Sequence, residues 1–167
     1  MSMKILVLSD SHASLRFMFA CVEQIKPDAI VHLGDYYDDG EALSDEFPHI
    51  PFYQVAGNCD RYRAPVDARE ILILPLLGVN LYMTHGHRHN VKFYTDGLIA
   101  DARAAGAAAV LYGHTHIQEC YQEDDGMWVL NPGSAGSYGG SAGIIEVEKG
   151  KIARCYLIGQ RDLEEMV

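Results

Sequence analysis

Five short turns in this sequence carry residues able to hold metal ions. They read Ser9-Asp10-Ser11-His12, Gly34-Asp35, Gly57-Asn58-Cys59-Asp60, His85-Gly86-His87 and Gly113-His114-Thr115-His116. The candidate ligands Asp10, His12, Asp35, Asn58, His85, His114 and His116 combine carboxylate, amide and imidazole, with no CxxC thiolate pair. Imidazole with carboxylate suits Zn, Fe, Ni or Mn, whereas Ca or Mg favours oxygen alone. Asp10-x-His12 and His114-x-His116 each place two ligands two residues apart, so in extended chain they share a face and can converge on one point. Five of the eight histidines fall in these turns, which ordinary surface placement does not require. Any one motif alone has a structural explanation. Five in order point to one shared site.

The elements that must position them are short. Apolar runs at residues 5–8, 29–33, 52–55, 79–83 and 107–112 each end in one of the five turns. Runs of this length, rich in Val, Ile and Leu and bounded by turn residues, predict buried strands. Between them, Leu15, Met18, Phe19, Val22 and Ile25 follow helical spacing, with Ser14 as the expected cap and Pro27 as the stop. A second helix is expected from about Thr95 to Ala105, with Gly106 just past its end. Strands alternating with helices predict a sheet with parallel sections, whose functional crevice lies outside the carboxyl ends of the strands. Residues 128–130, 143–148 and 152–157 read as a meander with a tight turn at Lys149-Gly150, expected to form a largely antiparallel second sheet. A short helix is expected near 162–166.

Composition sets the outer bounds. A chain of 167 residues is the size of one domain, read here as spanning 1–167, and 49% hydrophobic against 22% charged residues is ordinary for a globular protein. A formal charge of −10 argues against a nucleic-acid polymer as partner, since that affinity rests on Lys and Arg. An acidic chain can still bind a small phosphate if bound cations reverse the local field. Cys21, Cys59, Cys120 and Cys155 are 35 or more residues apart, so neither a zinc knuckle nor a disulfide framework is expected. No apolar run approaches the ~20 residues that span a bilayer, and the chain opens directly on a strand-like segment. No membrane partner and a cytoplasmic location are the expectations.

Taken in order, the five motifs resemble those of the calcineurin-like metallophosphoesterases. Asn131-Pro132-Gly133-Ser134 resembles the small bacterial and archaeal branch of that family. The likeness covers residues 5–116 by motif. It implies an α/β (α+β) fold, a four-layer αββα sandwich of two mixed β-sheets flanked by helices. It also implies two divalent metal ions, with Mn²⁺ favoured and Fe, Ni and Zn open, and hydrolysis of phosphate monoesters or diesters by a metal-activated hydroxide. Carried across, Asp10, His12 and His116 hold the first ion, Asn58, His85 and His114 the second, and Asp35 bridges both. The expected substrate is a small-molecule phosphate ester, and a homo-oligomer is left open.

One position departs from the family. Where Gly-Asn-His is usual, this sequence has Cys59, whose thiol is a weak hydrogen-bond donor. The candidate catalytic set is therefore Asp35, Asn58, Cys59, Asp60 and His85, with Asp60 expected to orient a ligand rather than bind metal. Limited help for the leaving group predicts a phosphodiesterase acting best on diesters with good leaving groups; the plainer reading makes Cys59 a packing residue. His87 and His89 read as loop histidines that could also meet the phosphate, and Arg61 and Arg63 carry no assignment. The glycine-rich stretch 133–140 lacks the Gly-Lys-Ser/Thr of a phosphate loop and reads as a turn or a wall of the site. The alternative function is a non-catalytic scaffold of the same fold, resembling a retromer subunit. A metal-storage domain is weaker, because it needs no open coordination position.

Overall fold

A computed structural model describes residues 1–137 and 139–166; Tyr138, inside the glycine-rich stretch, and Val167 lie outside the described residues. Two five-stranded mixed sheets face each other. The first is built from β1 (Ser2–Leu8), β2 (Ala29–His32), β3 (Phe52–Gln54), β9 (Ser141–Glu148) and β10 (Lys151–Gly159), in the order β10-β9-β1-β2-β3. The second contains β4 (Ile71–Leu76), β5 (Val79–Thr84), β6 (Ala109–Leu111), β7 (Glu119–Gln122) and β8 (Trp128–Asn131), in the order β4-β5-β6-β8-β7. In each sheet the three ligand-bearing or neighbouring strands run parallel, β1-β2-β3 in one and β5-β6-β8 in the other. Antiparallel strands complete the edges.

Strand alternation explains the layers. On β1, Ile5 and Val7 point between the sheets, where they join Val31, Leu33, Leu81, Met83, Leu111 and Leu130 in one buried cluster. Leu6 and Leu8 point the other way, onto α1 (Arg16–Ile25), α2 (Tyr37–Glu46) and α4 (Gln160–Glu165) through Phe17, Met18, Val22, Leu43 and Leu163. On the far face, Tyr82, Val110 and Val129 pack against Leu98, Ile99 and Ala102 of α3 (Asp96–Ala104). A strand buried on both faces needs a near-continuous apolar run, which β6 and the buried part of β1 have and which His32 alone interrupts in β2. The outcome is the expected αββα order.

Several local expectations need correction. The strands of the final third do not make a sheet of their own. β9 inserts beside β1 and carries β10 to the edge of the first sheet, while β8 joins the second sheet in parallel with β6. The Lys149-Gly150 turn is as expected, with both residues at positive φ, and Lys151 pairs with Glu148. Ser14 does not cap α1, whose N-cap is Leu15 with no side-chain cap bond; instead Ser14 N–H donates to Ser11 carbonyl in a turn. Sequence reading also missed α2, which contains Gly40 and buries only Leu43 among its large apolar residues, and β4, an edge strand carrying Pro75. Cys120 and Cys155, distant in sequence, meet across the two sheets with their sulfurs 3.5 Å apart as free thiols.

Leu111 is fully buried between the sheets. Leu111→Ala should cost about 2–5 kcal/mol, read as a lower urea midpoint at unchanged slope.

Candidate metal centre

The ligand-bearing turns leave their strands at one end of the sandwich and bend back sharply. Asp10, His12, Asp35, His114 and His116 all adopt left-handed backbone, with φ of 54°, 46°, 63°, 71° and 64°. Only a few per cent of non-glycine residues do this, and such strain gathers where function requires a fixed geometry. Glycine is required where these turns touch. A Cβ on Gly57 would lie 2.3 Å from Asp35 Oδ1, and one on Gly113 would lie 2.6 Å from Asp10 Oδ2. Close packing of bare backbone on the carboxylates holds both in place.

The side chains converge. Asp10, Asp35 and His85 are buried on the floor, while the His12 and His116 side chains remain 31% and 41% exposed at the mouth. His12 Nε2 lies 3.6 Å from both Asp10 Oδ1 and Asp35 Oδ2. His85 Nε2 is 3.8 Å and 3.4 Å from the same two oxygens. His116 Nε2 lies 3.1 Å from Asp10 Oδ1, and His114 Nδ1 lies 3.2 Å from His85 Nε2. Asp10 with His12 and His116, and Asp10 with Asp35 and His85, each place three ligand atoms within 4.8 Å of one another. Asn58 stands on the exposed rim beside them, its amide donating to Cys59 Sγ.

These contacts fit a cation better than they fit one another. Among the described residues, Asp10 Oδ1 and His12 Nε2 are buried with no hydrogen-bond partner, a costly state unless another group completes them. Burial opposes ionisation of Asp10, yet the His116 and His12 rings and the charge of His85 outweigh it and hold the carboxyl far below its usual range. Burial, reinforced by His85, pushes His114 down to about 4, so its ring is neutral and its lone pair is available. His85 places Nδ1 2.9 Å from the Leu33 carbonyl, to which it donates, leaving Nε2 to face the carboxylates. The donor set and the unpartnered atoms fit divalent metal.

Further residues hold the ligands in position. Asp60 is buried and accepts three backbone N–H bonds, from Asp35 at 2.8 Å, Gly57 at 2.7 Å and Tyr37 at 2.8 Å. It ties the second and third turns together, the orienting role expected from sequence. His32, Ser134 and Asp39 were not expected. Burial keeps His32 neutral; its Nδ1 accepts from Gly34 N–H, so its Nε2–H donates to Ser11 Oγ, and one ring links two ligand turns. Ser134 Oγ donates to the Asp10 carbonyl, and Asp39 accepts from Ala13 N–H. The only sequence signal for His32 is a polar residue inside an apolar strand. Of the groups left open, His87 is half-buried, with its ring centroid 5.6 Å from that of His85, and His89 pairs with Asp101 on α3. Arg63 lies over the Tyr36 ring and pairs with Asp38, while Arg61 lies near the Tyr62 ring.

The calcineurin-like phosphoesterase superfamily domain matches residues 3–150. The chain belongs to that superfamily. A probable metallophosphoesterase of Mycoplasma pneumoniae is 32% identical over 134 residues, covering 78% of each chain. A conserved Streptococcus pneumoniae protein described as a predicted phosphoesterase superposes with a TM-score of 0.79 at 25% identity, covering 96% of this chain and 91% of its own. An archaeal phosphodiesterase (TM-score 0.69, 22% identity, 93% and 100% covered) shares the fold. So does vacuolar protein sorting 29 of Cryptosporidium parvum (TM-score 0.67, 16% identity, 95% and 98% covered). Members of this metallophosphoesterase superfamily generally bind divalent metals, and the groups at Asp10, His12, Asp35 and His85 are candidates to do so here. Among the described residues no helix is long and apolar enough to cross a membrane.

Two outcomes follow from this geometry. Asp60→Asn should cost about 1–3 kcal/mol in urea unfolding, because one backbone donor loses its charged acceptor, and should weaken Mn²⁺ binding by about 10–100-fold in calorimetry. Partial desolvation, together with the Asp35 carboxylate that accepts Cys59 N–H, pushes the Cys59 thiol up to about 11. In the metal-free protein, alkylation of Cys59 by iodoacetamide should therefore still be rising above pH 9, and a plateau near pH 9 would contradict this.

Proposed function

We propose that this protein is a dinuclear-metal phosphodiesterase acting best on diesters with good leaving groups. The observation that carries the proposal is the buried pair Asp10 and Asp35, ringed by His12, His85, His114 and His116, with unpartnered atoms facing one space. Asp10, His12 and His116 would hold one ion, Asn58, His85 and His114 the other, and Asp35 both. Two bound divalent ions supply water activation at neutral pH and neutralise charge on phosphate oxygens. Mn²⁺ is the favoured metal.

The chain's own residues contribute orientation and access. Asp60, His32 and Ser134 fix the turns, so the ligands need little rearrangement when they act. The exposed His12 and His116 leave the mouth open on one side, as a catalytic centre requires and a storage site does not. Cys59, exposed at that mouth, keeps its proton at neutral pH and is a weak donor. A leaving group at this mouth receives little proton assistance from it, which supports the preference for activated esters.

Bis(p-nitrophenyl) phosphate should be hydrolysed with Mn²⁺, and Asp35→Asn should lower turnover at least ~100-fold. Cys59→His should raise turnover of alkyl or cyclic nucleotide diesters by about 10²-fold. Absence of turnover with Mn, Ni, Fe and Zn alike would leave a scaffold of the same fold as the better reading.

A further inference from the structure

Two clefts reach the candidate metal centre. One has a volume of about 550 Å³ and touches the centre through His116. The other, about 580 Å³, touches it through Gly57 and Asn58 and is walled by Ala64, Pro65 and Val66 together with the charged Arg61, Glu70 and Arg88. A phosphate diester carries two substituents and a monoester one, so two clefts of ligand size at one centre suit a diester. Both are polar, but only the second also presents apolar side chains. Among the described residues that line the first cleft, none carries an apolar side chain: serines, glycines, Gln118, Gln160, Arg161 and Glu164 surround the path away from His116.

Some of these polar groups are already committed. Ser134 Oγ donates to the Asp10 carbonyl and lies 3.0 Å from Ser137 Oγ. Ser141 Oγ donates to the Pro132 carbonyl at 2.7 Å, and Gln118 Nε2 donates to the Ile158 carbonyl at 3.2 Å. These bonds fix the wall. The Gln118 side-chain oxygen and the exposed side chains of Gln160, Arg161 and Glu164 remain to meet a ligand. Arg161 and Glu164 offset each other in charge, so the cleft favours a neutral group with many donors and acceptors over a second anion. An alkyl or aryl group there would strip water from the amides and the guanidinium without replacing its hydrogen bonds.

We propose that the cleft between His116 and Arg161 seats one ester substituent of the substrate and selects a sugar or polyol for that arm. This rests on the phosphodiesterase reading above and names its substrate class: a diester with one hydroxyl-rich arm in the serine- and glutamine-lined cleft and its second substituent in the other.

The test uses two mixed diesters with the same p-nitrophenyl leaving group, one with a glyceryl arm and one with a propyl arm, on the Mn²⁺-loaded protein. The glyceryl ester should show a KM about tenfold lower at similar kcat, as two additional hydrogen bonds allow. Gln160→Ala with Arg161→Ala should bring the two KM values together. Both side chains are exposed, and Leu163, which packs α4 on the sheet, is untouched. Equal KM values in the unaltered protein would overturn the proposal. Calorimetry with glycerol 3-phosphate and propyl phosphate gives a second readout that needs no turnover. Tighter binding of glycerol 3-phosphate, lost in the double variant, supports the cleft, and equal affinities overturn it. Failure to hydrolyse bis(p-nitrophenyl) phosphate counts against the phosphodiesterase reading instead, so the two failures are distinct.

Discussion

Two buried carboxylates at the ends of adjacent parallel strands are the constraint around which this molecule is arranged. Asp10 follows β1 and Asp35 follows β2, and oxygens of both lie within 3.6 Å of one imidazole nitrogen. Like charges this close and this dry are unstable without a compensating cation. Neighbouring structure accordingly keeps the two acids fixed rather than apart. Bare glycine backbone presses on Asp35 and on Asp10, Ser9 and Ser134 bond to Asp10, and Cys59 N–H bonds to Asp35. Backbone strain at five of the candidate ligands is offset by this network and by the core beneath it.

The sandwich makes that arrangement possible because both sheets deliver their parallel strands to the same end. β1, β2 and β3 bring Asp10, Asp35 and the Gly57 turn from one sheet, and β5 and β6 bring His85 and His114 from the other. The inter-sheet cluster of Ile5, Val7, Leu81, Met83 and Leu111 lies directly below, so ligand spacing depends on the packing of two close-fitted faces. Direct bonds between the sheets reinforce it near the site. His85 donates to the Leu33 carbonyl, and His114 N–H donates to Asp10 Oδ2 at 3.1 Å, connecting turns from different sheets.

Much of this was legible in the amino-acid order. An apolar run followed by a small residue and a ligand residue is a local signal, and it located all five turns and the strands that carry them. The pairing of β9 with β1 was not legible, because it depends on which distant surface is free rather than on either segment. Pro75 and Gly40 concealed β4 and α2, where tertiary contacts override weak propensity. His32 was hidden for a different reason. Its position inside an apolar strand reads as an exception, and only the structure shows its two nitrogens each meeting a different ligand turn. Left-handed backbone at Asp and His is only weakly signalled by residue type: both visit it more often than most, but tertiary contacts decide where.

Under the proposed function the centre divides into a floor that would govern metal and a mouth that would govern substrate, and Cys59 bears on that division. The backbone N–H of residue 59 donates to Asp35 Oδ1 at 2.9 Å whatever side chain stands there. Its side chain, by contrast, projects into the exposed mouth beside Asn58. The position therefore serves the carboxylate through its backbone and leaves its side chain free at the mouth. Replacing the usual histidine by cysteine leaves that service intact and alters only the side chain. Residues at the mouth can change without rebuilding the buried charges, because the bonds that hold Asp10 and Asp35 come from backbone and from Ser9 and Ser134 beneath it.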